Sequence, residues 1–175
     1  MNIFSILHSR DIILIAIFFA MIFASIYNWS IIISKIILFL KINIMEIEEY
    51  FENEIQIILS KNSNQKSLEL IVDNLINLKE IEFQKNLNFL ATSASIIPFV
   101  GLLGTVIGIA NALHDISSTS VQNINIISGP IADALSSTAI GLFVAIPAGF
   151  FYNYFTTKIE NILLEVKSKV IIKLS

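Results

Sequence analysis

Residues 98–112 read P-F-V-G-L-L-G-T-V-I-G-I-A-N-A, an uncharged run with three glycines and one threonine. Gly101, Gly104, Gly108 and Ala112 recur at spacings of three and four, so a helix here carries one stripe without a bulky side chain. In water each internal glycine costs a helix about 1 kcal/mol against alanine. In a bilayer the same residues let neighbouring backbones approach and pack. The stretch therefore predicts a membrane-spanning helix with a small-residue contact face. Thr105 lies on or beside that stripe, one turn after Gly101. Its hydroxyl is free to bond the carbonyl one turn back or to face whatever the stripe touches.

Composition points the same way. Of 175 residues 55% are hydrophobic and 14% charged, with a mean hydropathy of +0.77, more apolar surface than one small soluble core can hide. A polytopic membrane protein is expected. The chain has no cysteine, which excludes disulfides, thiolate metal sites and thiol nucleophiles, and its two histidines, His8 and His114, are too far apart in sequence to suggest a metal site. No catalytic constellation is visible, so an enzyme is not expected. The net charge of -3 offers no basic footprint for nucleic acid.

Residues 12–34 hold no ionisable group between Asp11 and Lys35. At about 1.5 Å per residue they reach about 34 Å, enough for a hydrocarbon core of about 30 Å. This is the first span, and residues 1–11 precede it. A cleaved signal peptide is the competing interpretation, but the run is too long and no small-x-small site closes it. Tyr27 and Trp29 lie near its Lys35 end, where amphipathic rings favour the headgroup layer.

Residues 35–88 differ in character, with nine acidic residues and six lysines among isoleucines and leucines. Ile44, Ile47, Phe51, Ile55 and Ile58 recur at spacings of three and four, as do Leu68, Ile71, Leu75 and Leu78, so two amphipathic helices are expected. The polar segment 60–66 reads as the turn between them, giving an antiparallel hairpin. The glutamates Glu46, Glu48, Glu49, Glu52 and Glu54 invite comparison with a cation site, but such a run is the ordinary solvated face of a helix.

The second span is 89–113. Pro98 inside it predicts a kink, its freed carbonyl satisfied by Thr92, Ser93 or Ser95. Residues 114–129 form a Ser, Thr and Asn-rich loop. The third span covers 130–157, with Pro130 at a first helical position, Pro147 as a second kink, and residues 158–175 as a tail. Lysine and arginine number six between spans one and two, four in the tail, one at the N-terminus and none between spans two and three. The positive-inside rule then places the hairpin and tail in the cytoplasm and the N-terminus and short loop outside, N-out and C-in.

Ala134, Thr138, Gly141, Ala145 and Ala148 make a second small-residue stripe with a hydroxyl in it. Two such faces suit pairing within the chain, between copies, or around a guest helix; plain packing explains the glycines and alanines, and an intramembrane hydroxyl also bonds its own backbone. Asp133 would cost about 3 kcal/mol at a bilayer midplane and mark function there. Three residues after Pro130, however, it sits near the outer helix end, where the dipole favours an acid, so a structural role and a proton-path role both stay open. Asp133 and Thr138 are about 140° apart on an ideal helix, which makes Ser137 its better neighbour.

F-L-A-T-S-A-S-I-I-P-F-V-G-L-L-G-T-V-I-G-I at 89–109 and I-A-D-A-L-S-S-T-A-I-G-L-F-V-A-I-P-A-G-F-F-Y-N at 131–153 resemble the TolQ/ExbB/MotA proton-channel family, particularly its TolQ and ExbB branch. N-W-S-I-I-I-S-K at 28–35 adds a weaker likeness. The resemblance implies a ring-forming, pentameric subunit of the bacterial inner membrane that holds the transmembrane helices of a TolR- or ExbD-like partner, and through it engages a TolA- or TonB-like protein. Proton flow past an aspartate of the partner would energise work at the outer membrane, with protons as coupling ion and no cofactor. Carried over by position, Thr105 and Thr138 match pore-lining threonines and Asp133 the pore acid. The family usually has glutamate at that acid, Pro-Gly where this chain has Gly129-Pro130, and a longer cytoplasmic hairpin. Rival readings are a non-conducting scaffold packed through its small-residue faces, and a flagellar-stator-like subunit, which typically has four spans. The short external N-terminus leans toward Tol-type service in envelope constriction over Ton-type service in nutrient uptake.

Overall fold

The structure, a computed structural model, describes residues 3–42, 44–59, 65–118 and 125–174, and among these it contains helices and no strand. Five helices follow in order: α1 (Ile3–Lys41), α2 (Ile44–Leu59), α3 (Gln65–Gln84), α4 (Leu87–Ser118) and α5 (Asn125–Leu174). Among the described residues three stretches are long and apolar enough to cross a membrane: Ile12–Lys41, Leu87–His114 and Ser128–Ile172. The protein is an all-helical, multi-pass membrane protein. The 45 residues of the third stretch reach about 67 Å, about twice a hydrocarbon core, so α5 extends well beyond a single crossing.

The chain divides into two compact units. The first comprises Met1–Ser30 and Phe89–Phe151. Its core is Met21 of α1, Ile97 of α4 and Val144 and Ala145 of α5, with Ile17, Phe18, Ala24 and Val100 packed against them. Large side chains stand on its outside: Phe23 is 72% exposed, Phe99 70% and Phe143 78%. Such apolar exposure is untenable over a helical unit in water and natural where lipid or another helix is the solvent. Tyr27 and Trp29 meet Phe89 and Phe151 edge-on, at 4.5 and 6.4 Å between ring centroids.

Pro98 lies within α4, which runs on through it to Ser118. The Ser95 hydroxyl donates to the Ala91 and Thr92 carbonyls at 2.9 and 3.2 Å, one turn back, and not to the Ala94 carbonyl that Pro98 frees. Pro130 is not at the first helical position. α5 starts at Asn125, so Pro130 falls in its second turn, where the missing N–H costs one early helical hydrogen bond, and Pro147 lies deeper in the same helix. Residues 114–118 belong to α4 and 125–129 to α5; of the expected loop, 119–124 lie outside the described residues.

The second unit comprises Ile31–Asn88 and Tyr152–Ser175. Phe51 and Ile55 of α2, Val72 of α3 and Val166 and Val170 of α5 form its core, with Ile47, Leu75 and Ile76 packed around it. The expected two-helix hairpin thus closes on a third helix, the end of α5. That third partner turns α3: Val72 and Ile76 join Leu75 on the buried face, while Leu78 is 63% exposed. The side chains of Ile44, Ile58, Leu68 and Ile71, and the turn residues 60–64, lie outside the described residues. Glu46 and Glu49 are exposed on α2, as a solvated face requires; the side chains of Glu48, Glu52 and Glu54 are not among those described.

Two devices order this unit. Phe39 of α1 stacks on Phe155 of α5 at 5.6 Å, and the Lys158 ammonium lies 5.1 Å over the Phe39 ring. Where α3 gives way to α4, Asn86 takes a left-handed φ of 69°, a conformation Asn tolerates better than most residues. There the buried Lys35 ammonium donates to the Phe83 carbonyl at 2.6 Å. This is a cation on one of the carbonyls that a helix C-terminus leaves unpaired.

Candidate functional site

The two small-residue stripes meet each other within one chain. A Cβ built on Gly101 would lie 2.9 Å from the Ser137 carbonyl oxygen and 3.3 Å from the Gly141 Cα; one built on Gly141 would lie 3.1 Å from the Ile97 carbonyl oxygen. At Gly108 an added Cβ would stand 2.7 Å from the Ala134 Cβ. As α4 advances, α5 runs back past it, and glycine is what permits contact between the two backbones. Gly101, Gly104, Gly108 and Ala112 are all buried, as are Ala134, Gly141, Ala145 and Ala148.

Thr105 sits in this contact, 7% exposed. Its Oγ1 is 2.9 Å from the Ala134 carbonyl oxygen of α5, 3.3 Å from the Gly101 carbonyl oxygen one turn back, and hydrogen bonded to the Thr138 Oγ1. A hydroxyl has one proton to give. With Thr105 donating to the Ala134 carbonyl, Thr138 donates to Thr105, and a short chain of hydroxyls crosses from helix to helix. Each bond of this kind is worth about 0.6 kcal/mol on average within a membrane.

Asp133 and Ser137 occupy a different place. With α1 and α4 they line a cavity of about 300 Å³ whose wall includes Phe18, Gly104, Gly108 and Asn111. Asp133 is exposed and Ser137 is 1% exposed, its hydroxyl without a hydrogen-bond partner among the described residues. The structure therefore places Asp133 with Ser137 on the wall of one cavity, and pairs Thr105 with Thr138. Because α5 begins at Asn125, Asp133 lies beyond its first turn, where the dipole's preference for an acid has faded.

Three further polar residues of this unit are set apart more by the structure than by the sequence. Asn111 lies one turn past Gly108 and enters the cavity; a polar side chain inside an apolar span is its only mark. Asn28 is 2% exposed and neither polar atom of its amide finds a partner. Ser93 is 4% exposed. Among the described residues no three His, Cys, Asp or Glu side chains gather as metal ligands would.

Residues 43–168 match the MotA/TolQ/ExbB proton channel family. The chain belongs to that family. Its relatives carry both names of the branch. The biopolymer transport protein ExbB of Xanthomonas campestris pv. campestris (strain B100) is 47% identical over 81 residues, 46% of this chain and 32% of that protein. The Tol-Pal system protein TolQ of Haemophilus influenzae is 43% identical over 90 residues, 51% of this chain and 40% of its own length. The ExbB protein of Aquifex aeolicus is 43% identical over 86 residues, 49% and 58% respectively. The match thus spans about a third of the Xanthomonas relative and little more than half of the Aquifex one. Family membership places the chain among proton-channel-type membrane proteins.

Proposed function

We propose that the chain is the ring-forming subunit of a motor in the bacterial inner membrane, driven by the proton motive force. It adopts an N-out, C-in orientation, assembles as a homo-oligomer, a pentamer, and encloses the membrane helices of a TolR- or ExbD-like partner that passes force to a TolA- or TonB-like protein. Protons are the coupling ion. The chain contributes the wall, Thr105, Thr138, Ser137 and Asp133, and the partner contributes the carboxylate that loads and releases the proton. The observation that carries this reading is the Thr105–Thr138 hydroxyl chain set in an otherwise apolar, glycine-mediated helix contact. A hydroxyl both donates and accepts a hydrogen bond, so it can line a proton path while staying neutral at rest.

The same hydrogen bonds favour a second reading. Thr105 and Thr138 satisfy each other and the Ala134 carbonyl, which a non-conducting scaffold would also require. Proton flux into liposomes holding the chain with its aspartate-bearing partner separates the two. The motor reading expects flux that Thr105→Val and Thr138→Val abolish while the oligomer still forms; a scaffold gives none in the parent protein. Tol-type or Ton-type service follows from which partner copurifies.

A further inference from the structure

The cavity beside the hydroxyl pair holds a set of oxygen donors. Asp133 brings a carboxylate, Ser137 a hydroxyl and Asn111 an amide oxygen, against an apolar wall that includes Leu14 and Phe18. Asp133 and Ser137 stand one turn apart on the same face of α5. The contact of Gly108 with Ala134 brings Asn111, one turn further along α4, within about a turn of Asp133.

Ser137 is the residue that asks for a ligand. Its neighbour Ser136 returns its proton to the Ala132 carbonyl at 2.9 Å, and Thr105 and Thr138 pair with each other, yet the Ser137 hydroxyl, 1% exposed, has no partner among the described residues. A buried hydroxyl is rarely left this way, because the loss is not repaid elsewhere. Gly104 makes the room: a Cβ there would fall on the Ser137 Oγ.

We propose that this cavity is a binding site for one hard monovalent cation of the sodium class. All three donors are oxygens, which suits a hard ion and not a thiophilic or imidazole-seeking metal. One carboxylate balances one positive charge, whereas divalent sites gather more. Among the described side chains no lysine or arginine lines the cavity. Its volume of about 300 Å³ accommodates the ion with several waters, each taking about 30 Å³, to complete the coordination shell. The inference concerns binding by this chain alone and stands whether or not the assembled ring conducts.

The test is carbodiimide labelling of Asp133 in the purified full chain, quantified by peptide mass spectrometry. Sodium chloride is exchanged for choline chloride at fixed ionic strength and pH. Sodium is expected to slow labelling of Asp133 in a saturable manner, about tenfold once its concentration is about tenfold above the dissociation constant, while labelling of Asp73 is unmoved. Ser137→Ala and Asn111→Ala each shift the half-protecting concentration upward by about tenfold or more, as loss of a ligand does. Equal labelling of Asp133 in sodium and choline overturns the proposal, as does slowing shared by Asp73, or protection that both variants leave intact.

Discussion

Gly101 of α4 and Gly141 of α5 face each other so closely that a Cβ added to Gly101 would lie 3.3 Å from the Gly141 Cα and 2.9 Å from the Ser137 carbonyl oxygen. Nothing there can rotate away, since the obstructing atoms are backbone. Gly101→Ala is expected to force the two helices apart and destabilise the first unit by about 1–3 kcal/mol, read as a lower thermal midpoint in detergent. Gly129→Ala is the control. Among the described residues nothing beyond its own stretch of helix lies within 4 Å of its built Cβ, and alanine suits a helix better, so stability should hold or rise by up to about 1 kcal/mol. Equal behaviour of the two variants would mean that the close approach carries no energy.

The Lys35 ammonium on the Phe83 carbonyl ties α1 to the break between α3 and α4. Lys35→Met keeps the length of the stem and removes the donor, leaving the carbonyl unpaired at a cost of about 1–3 kcal/mol. Backbone amides around 83–88 should exchange faster with deuterium in that variant than in the parent. Unchanged exchange there would show that the contact does not hold the junction.

In the second unit burial and surface charge make opposite demands. Phe51 is fully buried between three helices, and Phe51→Ala should cost about 3–5 kcal/mol. The ion pair between Lys167 and Asp73 is 2.6 Å long but both side chains are more than a third exposed, and Lys167→Ala should cost no more than about 1 kcal/mol. Limited proteolysis of the reconstituted protein distinguishes them. A large effect from Lys167→Ala would mean the pair is far less solvated than its exposure says.

That unit also marks where the sequence is easy to read and where it is not. The charge-free runs beginning at Ile12, Leu87 and Ala134 declare the apolar spans, because hydrocarbon tolerates no ionised side chain cheaply. The end of α5 is harder. Lys158, Glu160, Glu165, Lys167 and Lys169 give residues 158–174 the look of a solvated tail, yet Ile159, Ile162, Val166 and Val170 recur between them at spacings of three and four, and all are buried. The stripe is present, but only the helices it packs against make it a core. The exposed Leu78 follows from the same cause, since a third helix rotates the buried face of α3.

At the candidate site the threonines stand out as hydroxyls on small-residue stripes, and their mutual hydrogen bond follows from the register that Gly101 and Gly141 impose. Asn111 is harder to single out. Its part in the cavity depends on how Pro130, Asp133 and the N-terminal portion of α1 enclose it, a relation between segments distant in sequence. The position of Asp133 along α5 likewise depends on where that helix starts. Proline at 130 reads as a helix start, and the actual start at Asn125 leaves the acid deeper in the helix.

Proton flux through the chain reconstituted with the single-span partner proposed above is the most direct measure of the central claim, that the hydroxyl pair at the α4–α5 contact belongs to a conducting wall. Flux should be lost in Thr105→Val and Thr138→Val, with the oligomer intact, and retained in Thr105→Ser, which keeps the hydroxyl and drops only a methyl. Parental flux in both valine variants would contradict the account.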